Sequence, residues 1–284
     1  MNASRLETAA GRAGGQRGEG EEPVPFPHGL GPMREGPYEV HFARTRREVE
    51  EVQALRFEVF NRELGEGFAE SWETGRDEDA FDRCCHHLVL RVAETGRAVG
   101  TYRMQTPQMA REGIGFYCAQ EFDLDMMPAE EVDSCIELGR ACILSEHRNG
   151  MALFALWRGI AAYLMWAGGQ KLFGCCSLTS TDPVEGHRML NRLHAAGHVS
   201  DVFMVEPLPA NACPEPSEDV GSDIDIPRLF STYLRYGAKV HSPPALDRAF
   251  GTIDFFIIVD IGRLSGRLYR MFFADLPGSQ EPAG

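Results

Sequence analysis

Apolar residues along this chain recur at two spacings, and the alternation between the two predicts its elements. Val49, Val52, Leu55, Val59 and Phe60 fall on one helical stripe. Thr45, with Glu48 three residues on, is a capping-box signature, so a helix is expected from there to about 64. Period-two patterns at 39–43, 87–92 and 99–105 predict strands, the last two joined into a hairpin by Thr95-Gly96. Residues 134–144 read as a central strand. A long helix over 151–167 carries Leu153, Trp157, Ile160, Ala161 and Leu164 on one face and stops at Gly168-Gly169. A strand at 171–178, a helix opened by Thr181-Asp182-Pro183 and reaching about 196, a helix at 228–236 and an apolar strand at 252–260 complete the core. Residues 65–82 are expected to form a long loop, 115–124 another short strand and turn, and the Pro-rich acidic 206–226 a long loop or lid. Strands come first, then strand–helix–strand–helix, then a late strand. That order predicts a mixed α/β domain built on one sheet.

The pattern fades at both ends. Residues 1–36 are rich in Gly, Glu, Arg and Pro and are expected to form a disordered tail, with a folded domain over 37–275 and a flexible tail at 276–284. The chain has 284 residues, 43% hydrophobic and 25% charged, which is ordinary for a globular protein. Its net charge of −14 argues against nucleic-acid binding and against broad adhesion to an anionic membrane. Eight scattered cysteines with no secretory signal core predict free thiols in a reducing cytoplasm.

The chemistry concentrates at 136–169. A strand there carries Glu137 and Arg140, a polar turn holds Arg148, Asn149 and Gly150, and a helix starts where the turn ends. Charge inside a sheet is costly unless paired or used. A helix N-terminus offers N–H groups to an anion. A carboxylate base beside an anion-binding turn suits a transferase whose donor carries a phosphate. The competing account makes Glu137 a structural partner of Arg140. Cys84, Cys85, His86 and His87 are consecutive on a strand and so point to opposite faces, and no metal site is expected from them. Residues 261–273 alternate arginines with bulky apolar side chains, which fits a terminal helix docked on its own core better than a membrane-surface helix.

Nine segments in order give the chain a family likeness. They are LRFEVF at 55–60, FDRCCHHLVL at 81–90, VGTYRM at 99–104, GFYCAQEFDL at 115–124, ELGRACI at 137–143, LFALWRGIAAY at 153–163, LFGCCSLTSTDP at 172–183, YLRYGAKV at 233–240 and IDFFIIVD at 253–260. Across roughly 40–273 the chain resembles the GNAT superfamily, and within it the hemolysin-like ornithine–acyl-carrier-protein N-acyltransferases. Acyl-homoserine-lactone synthases are more distant relatives. Two departures stand out: Cys85-His86-His87 where the family usually has Cys-Asp-His, and a reduced Arg148-Asn149-Gly150-Met151 turn in place of the fuller pyrophosphate loop of acetyl-CoA enzymes.

The resemblance implies a GNAT-like fold, a mixed and mostly antiparallel sheet flanked by helices. It implies transfer of a long acyl chain, with or without a 3-hydroxyl, to the α-amine of ornithine. No cofactor is expected, the donor being the phosphopantetheine thioester of acyl carrier protein. Glu137 is then the general base and Arg140 its orienting partner or a clamp for the acceptor carboxylate. Arg56, Glu78, Asp79, Asp82 and Arg103 occupy positions where the lactone-synthase branch has charged site residues, so Arg56, Asp79, Asp82 and Arg103 are expected to bind the acceptor. Ala141 and Cys142 are expected to offer a backbone N–H to the thioester oxygen, and Arg148, Asn149 and Gly150 to hold the donor phosphate. Acyl carrier proteins are acidic, so Arg148, Arg158, Lys171, Arg188 and Arg192 are expected to form a docking patch. The lipid product makes peripheral contact with the inner membrane a further expectation. Other acceptors (glycine, lysine, glutamine), lactone synthesis and a non-catalytic acyl or carrier-protein binding module are the competing readings.

Overall fold

The computed structural model describes residues 22–277. A nine-stranded sheet runs through it, in the order β1 (Met33–Glu35), β2 (Tyr38–Phe42), β3 (His86–Val92), β4 (Ala98–Gln105), β5 (Cys135–Ile143), β6 (Lys171–Leu178), β9 (Thr252–Asp260), β7 (Lys239–Val240), with β8 (Ala245–Asp247) also paired to β9. Every pairing is antiparallel except β5 with β6. Among the described residues five helices have eight residues or more: α1 (Arg46–Phe57), α2 (Gly150–Ala167), α3 (Pro183–Ala195), α4 (Arg228–Arg235) and α5 (Gly266–Phe273).

The main core lies between the sheet and α2. Asn149 caps that helix, its Oδ1 accepting from the N–H groups of Met151 and Ala152, each at 3.0 Å. Gly168, at φ +68°, ends it. By length and composition α2 could cross a membrane, yet more than half of it is buried inside the fold and Trp157, Ile160 and Tyr163 are almost wholly enclosed. α5 docks on it through Phe272 and Phe273, so the apolar face of 261–273 packs into the core. Arg158 of α2 fastens that helix by donating to the Phe272 and Ala274 carbonyls at 2.8 and 2.6 Å, and pairs with Glu35 at 3.1 Å.

Several expectations need correction. Of the expected N-terminal tail, residues 22–36 are docked, with Pro23 bridging to Thr45 and β1 pairing β2, and residues 1–21 lie outside the described residues. At the other end Leu276 is buried against α5, and 278–284 lie outside the described residues. Residues 115–124 form tight turns instead of a strand, apart from one bridge from Phe122 to Pro207. The stretch 206–226 packs as a strap, because α3 supplies it with partners: His187 contacts the Pro214 carbonyl, Arg188 donates to that of Val220, and Asn191 to that of Gly221. After Phe57, α1 continues through a π-helical segment, Glu58–Leu64, which carries Val59 and Phe60 toward the open side of the sheet.

β5 and β6 pair over three residues only, Cys135–Lys171, Ile136–Leu172 and Glu137–Phe173, and then part. On its other edge β5 carries a bulge, where Arg140 and Ala141 stand opposite the single residue Tyr102. Arg140 sits there at φ +49°, a conformation that costs a branched or long residue energy and is retained at special sites. Gly174 is required at the fork: a Cβ built on it would lie 2.2 Å from the Leu138 carbonyl oxygen.

Candidate active site

Three arginines and three aspartates form a closed, alternating ring beneath the fork. Arg56 of α1 pairs with Asp77 at 2.8 Å and Asp82 at 2.6 Å, and Arg103 of β4 with Asp82 at 2.9 Å and Asp79 at 2.5 Å. Arg140 of the bulge closes the circle to Asp79 at 3.1 Å and Asp77 at 3.2 Å. The loop before β3 supplies all three carboxylates because Asp79 caps the turn Ala80–Arg83, with Asp82 bonding back to the Asp79 N–H. Burial would raise the pKa of Asp82, but the charges of Arg56 and Arg103 outweigh it and hold this carboxyl well below the usual range. Burial likewise opposes the charge on Arg103, and Asp79 and Asp82 more than offset it. Aromatic rings close over the ring: Tyr117 lies 5.2 Å from the Arg103 guanidinium and 4.7 Å from that of Arg140, and Phe250 lies 4.7 Å from Arg140.

This ring corrects the expected acceptor ligands. Arg56, Asp79 and Asp82 do come together, but they neutralise one another beneath the cavity and do not line it. Of the ring, only Arg103 and Arg140 reach the cavity wall. Arg140 also does not orient Glu137, its partners being Asp77 and Asp79.

Glu137 stands at the last β5–β6 pair, where the fork opens, and is 5% exposed. Its two carboxylate oxygens accept from the backbone N–H groups of Tyr117 and Cys118 at 2.9 and 2.8 Å. Those bonds explain why 115–124 is a turn: the buried carboxylate needs donors, and a tight turn points consecutive N–H groups at it. Burial raises the pKa of Glu137, and the two N–H bonds only partly oppose this.

A cavity of about 800 Å³ passes through the fork. On the α2 side its wall is apolar, with Leu153, Phe154, Trp157, Leu172, Tyr233 and Phe272. On the opposite side it is polar, with Glu66, Arg103, Glu137, Arg140, Asp247 and Asp254. Ala141 and Cys142 line the passage between the two halves, beside the bulge.

Arg148, Asn149 and Gly150 also line the cavity, at the start of α2. Their anion-binding capacity is smaller than expected, because Asn149 already satisfies the Met151 and Ala152 N–H groups and Arg148 is held in a two-pronged pair by Glu63, with Nη2 to Oε2 at 2.7 Å. Three members of the expected basic docking patch are neutralised locally, Arg148 by Glu63, Arg158 by Glu35 and Lys171 by Glu131, while Arg188 keeps its charge as it donates to the Val220 carbonyl of the strap.

His86 and His87 point to opposite faces of β3, His86 to the Tyr163 hydroxyl at 2.9 Å and His87 to the Asp82 carbonyl at 2.9 Å. Burial lowers both to about 4, so each is neutral at pH 7. Burial pushes the thiols of Cys85 and Cys142 up and that of Cys118 to about 12, which leaves them in the unreactive thiol form.

Sequence reasoning missed three buried carboxylates, Glu121, Asp247 and Asp254, whose oxygens lie within 4.8 Å of one another. Glu121 and Asp254 each fall inside a quoted motif, but nothing in one sequence brings residue 121 to residue 254. The pairing of β8 with β9 sets Asp247 beside Asp254, and the turn at 117–121, bonded to Glu137 and bridged through Phe122 to Pro207, carries Glu121 to them.

Residues 55–158 match the model of the acetyltransferase (GNAT) domain. The chain is 34% identical over 256 residues to the L-ornithine N(alpha)-acyltransferase of Brucella abortus (strain 2308), covering 85% of this chain and 91% of that protein. It is 34% identical over 250 residues to the protein of the same name from Rhizobium meliloti (strain 1021), covering 84% of each. Against that of Rhodobacter capsulatus it is 31% identical over 256 residues, covering 83% of this chain and 94% of that one. Among solved structures, the AHL synthase LasI aligns at a TM-score of 0.45 and 12% identity over 86% of this chain and 98% of that chain.

Proposed function

We propose a reaction for this chain from one premise: it belongs to the L-ornithine N(alpha)-acyltransferase family of GNAT-domain proteins and is an N-acyltransferase. The reaction is transfer of a long acyl chain from the thioester of acyl carrier protein to the α-amine of ornithine, giving an Nα-acylornithine and a free pantetheine thiol. One observation carries the reading, namely a cavity that crosses the sheet at its fork with an apolar half on one side and a charged half on the other. An acyl chain needs the first, an amino acid the second, and the two must meet in the passage.

In this scheme the acyl chain lies along Leu153, Phe154 and Trp157, with Phe272 at the far wall. The pantetheine arm enters beside Arg148 and Gly150, and Arg148 exchanges Glu63 for the donor phosphate. Arg140, with Arg103 behind it, offers positive charge to the acceptor carboxylate. Glu137 takes a proton from the incoming α-ammonium through the lone pairs its two N–H donors leave free. The uncharged amine attacks the thioester carbonyl carbon, and the oxyanion forms against the bulged backbone at Ala141 and Cys142. Collapse expels the thiolate, which recovers a proton, and the amide remains. The raised pKa of Glu137 supports this role, because a base is most effective when its pKa approaches the working pH.

The test is direct. Pure protein, long-chain acyl carrier protein thioester and single amino acids are incubated, with thiol release followed and lipids identified by mass spectrometry. Ornithine-dependent release with an Nα-acylornithine product is expected. Release with glycine, lysine or glutamine but not ornithine overturns the acceptor, lactone formation from S-adenosylmethionine overturns the reaction, and donor binding with no transfer to any amine leaves a non-catalytic module. Glu137→Gln should lower kcat and remove the acid limb of its pH profile, and an unchanged profile removes the base assignment.

A further inference from the structure

Glu121, Asp247 and Asp254 form a buried acidic cluster on the polar side of the cavity. They are 3%, 8% and 4% exposed, and among the described residues none of them makes an ion pair. Their hydrogen bonds are incomplete. Asp247 Oδ1 accepts from the Ala249 and Phe250 N–H groups at 2.9 Å each, and Asp254 Oδ2 from the Thr252 hydroxyl at 3.2 Å. Glu121 Oε2 and Asp254 Oδ1 are buried with no hydrogen-bond partner. Asp247 and Asp254 form part of the cavity wall. Burial and mutual proximity raise the pKa of Glu121 and Asp254, so these carboxyls favour the protonated form unless a cation lies among them, and no arginine of the ring pairs with them directly.

We propose that this cluster binds the side-chain ammonium of a diamino-acid acceptor and sets the enzyme's preference for ornithine over amino acids with a neutral side chain. The inference rests on the acyltransfer reading above and names the group that reads the acceptor. An ammonium has three donors and no acceptor. Three oxygens, each about 2.8 Å from its nitrogen at tetrahedral angles, stand about 4.6 Å apart, a spacing that a cluster whose oxygens lie within 4.8 Å of one another can accommodate. Magnesium keeps several waters, whereas Phe122, next to Glu121 along the chain, and Phe256, close after Asp254, belong to a buried apolar cluster with Phe173.

The cluster's place in the fold selects the distal ammonium. Asp254 pairs across from Ser177, four residues beyond the last β5–β6 pair on β6, and Ala141 is four residues beyond it on β5. The cluster and the bulge therefore stand at similar height on the two arms of the fork. Phe250 links them: its ring stacks on Arg140 at 4.7 Å and its N–H bonds Asp247. An amino acid lying across this gap meets Arg140 with its carboxylate and the cluster with its side chain. An amine held by three carboxylates stays protonated and cannot attack. The cluster therefore suits the nitrogen that does not react, and leaves the α-amine to Glu137.

Asp254→Asn and Glu121→Gln test this with two acceptors, ornithine and norvaline, which is ornithine without its distal amine. Each variant should lose about 10- to 100-fold in kcat/KM for ornithine while norvaline turnover stays within about twofold, so that selectivity collapses. Calorimetric titration should show ornithine binding to the wild type, with norvaline binding weaker and Asp254→Asn binding ornithine no better than norvaline. Parallel losses for both acceptors, no loss for either, or no heat with ornithine overturns the inference. Loss of ornithine turnover on EDTA treatment, restored by magnesium or calcium, replaces it with a metal site. Should no donor acylate ornithine, the acyltransfer reading fails, and the calorimetry still decides whether the cluster recognises a side-chain ammonium.

Discussion

Asp82→Asn is expected to destabilise the fold far more than it affects acceptor binding. In the wild type Asp82 Oδ2 accepts from Gln53 at 2.8 Å and Arg56 at 2.6 Å, and Oδ1 from Arg56 and Arg103 at 2.9 Å each. An asparagine in either orientation turns its NH2 group toward at least two N–H donors. The ring also passes from three arginines against three aspartates to three against two, which leaves a buried charge without compensation. Removing one partner of such a network costs about 3–5 kcal/mol. At roughly 2–4 °C per kcal/mol for a domain of this size, the melting temperature should fall by about 6–20 °C. The assay is urea and thermal unfolding followed by circular dichroism, with acceptor KM measured on the folded fraction. The double variant Arg56→Gln with Asp82→Asn should lose less than the sum of the two single variants, since it removes charge in pairs. The acid limb follows from linkage. The folded pKa of Asp82 lies below its unfolded value near 3.9, so its contribution is complete above about pH 4 and is lost as pH falls through the folded value. Asp82→Asn should flatten that limb. A variant within about 1 kcal/mol of wild type whose ornithine KM rises instead would make Asp82 an acceptor ligand and refute the closed ring.

Gly174→Ala drives a methyl group to 2.2 Å from the Leu138 carbonyl oxygen, forcing the fork apart by about 1 Å. Overpacking costs about 1–3 kcal/mol, and a shift of this size at the bulge should lower kcat at least tenfold. Turnover within twofold of wild type would mean that the fork does not set the donor's position. Arg158→Met removes the bonds that fasten α5 to α2, at about 1.5–3 kcal/mol, and trypsin should then cut faster after Arg263 and Arg267. Unchanged cleavage would place the anchoring in Phe272 and Phe273 alone.

The sequence by itself determined the elements whose periodicity reports burial. Strands 171–178 and 252–260, and α2 within one residue, were legible because one face of each is continuously apolar. It also determined the family, since nine short segments keep their order, and it singled out Glu137, Arg140 and the turn at 148–150. The partners of those side chains were not legible. Asp77, Asp79 and Asp82 look like an ordinary acidic loop until α1, β4 and the β5 bulge bring three arginines onto them. Glu137 looks like Arg140's partner until a turn from residue 117 takes both of its oxygens. Glu121, Asp247 and Asp254 meet only because the pairing of β8 with β9 sets the two aspartates side by side and the turn held by Glu137 carries residue 121 to them. Periodicity encodes which face of an element is buried. Charge pairing depends on which elements become neighbours, and only the closed tertiary structure decides that.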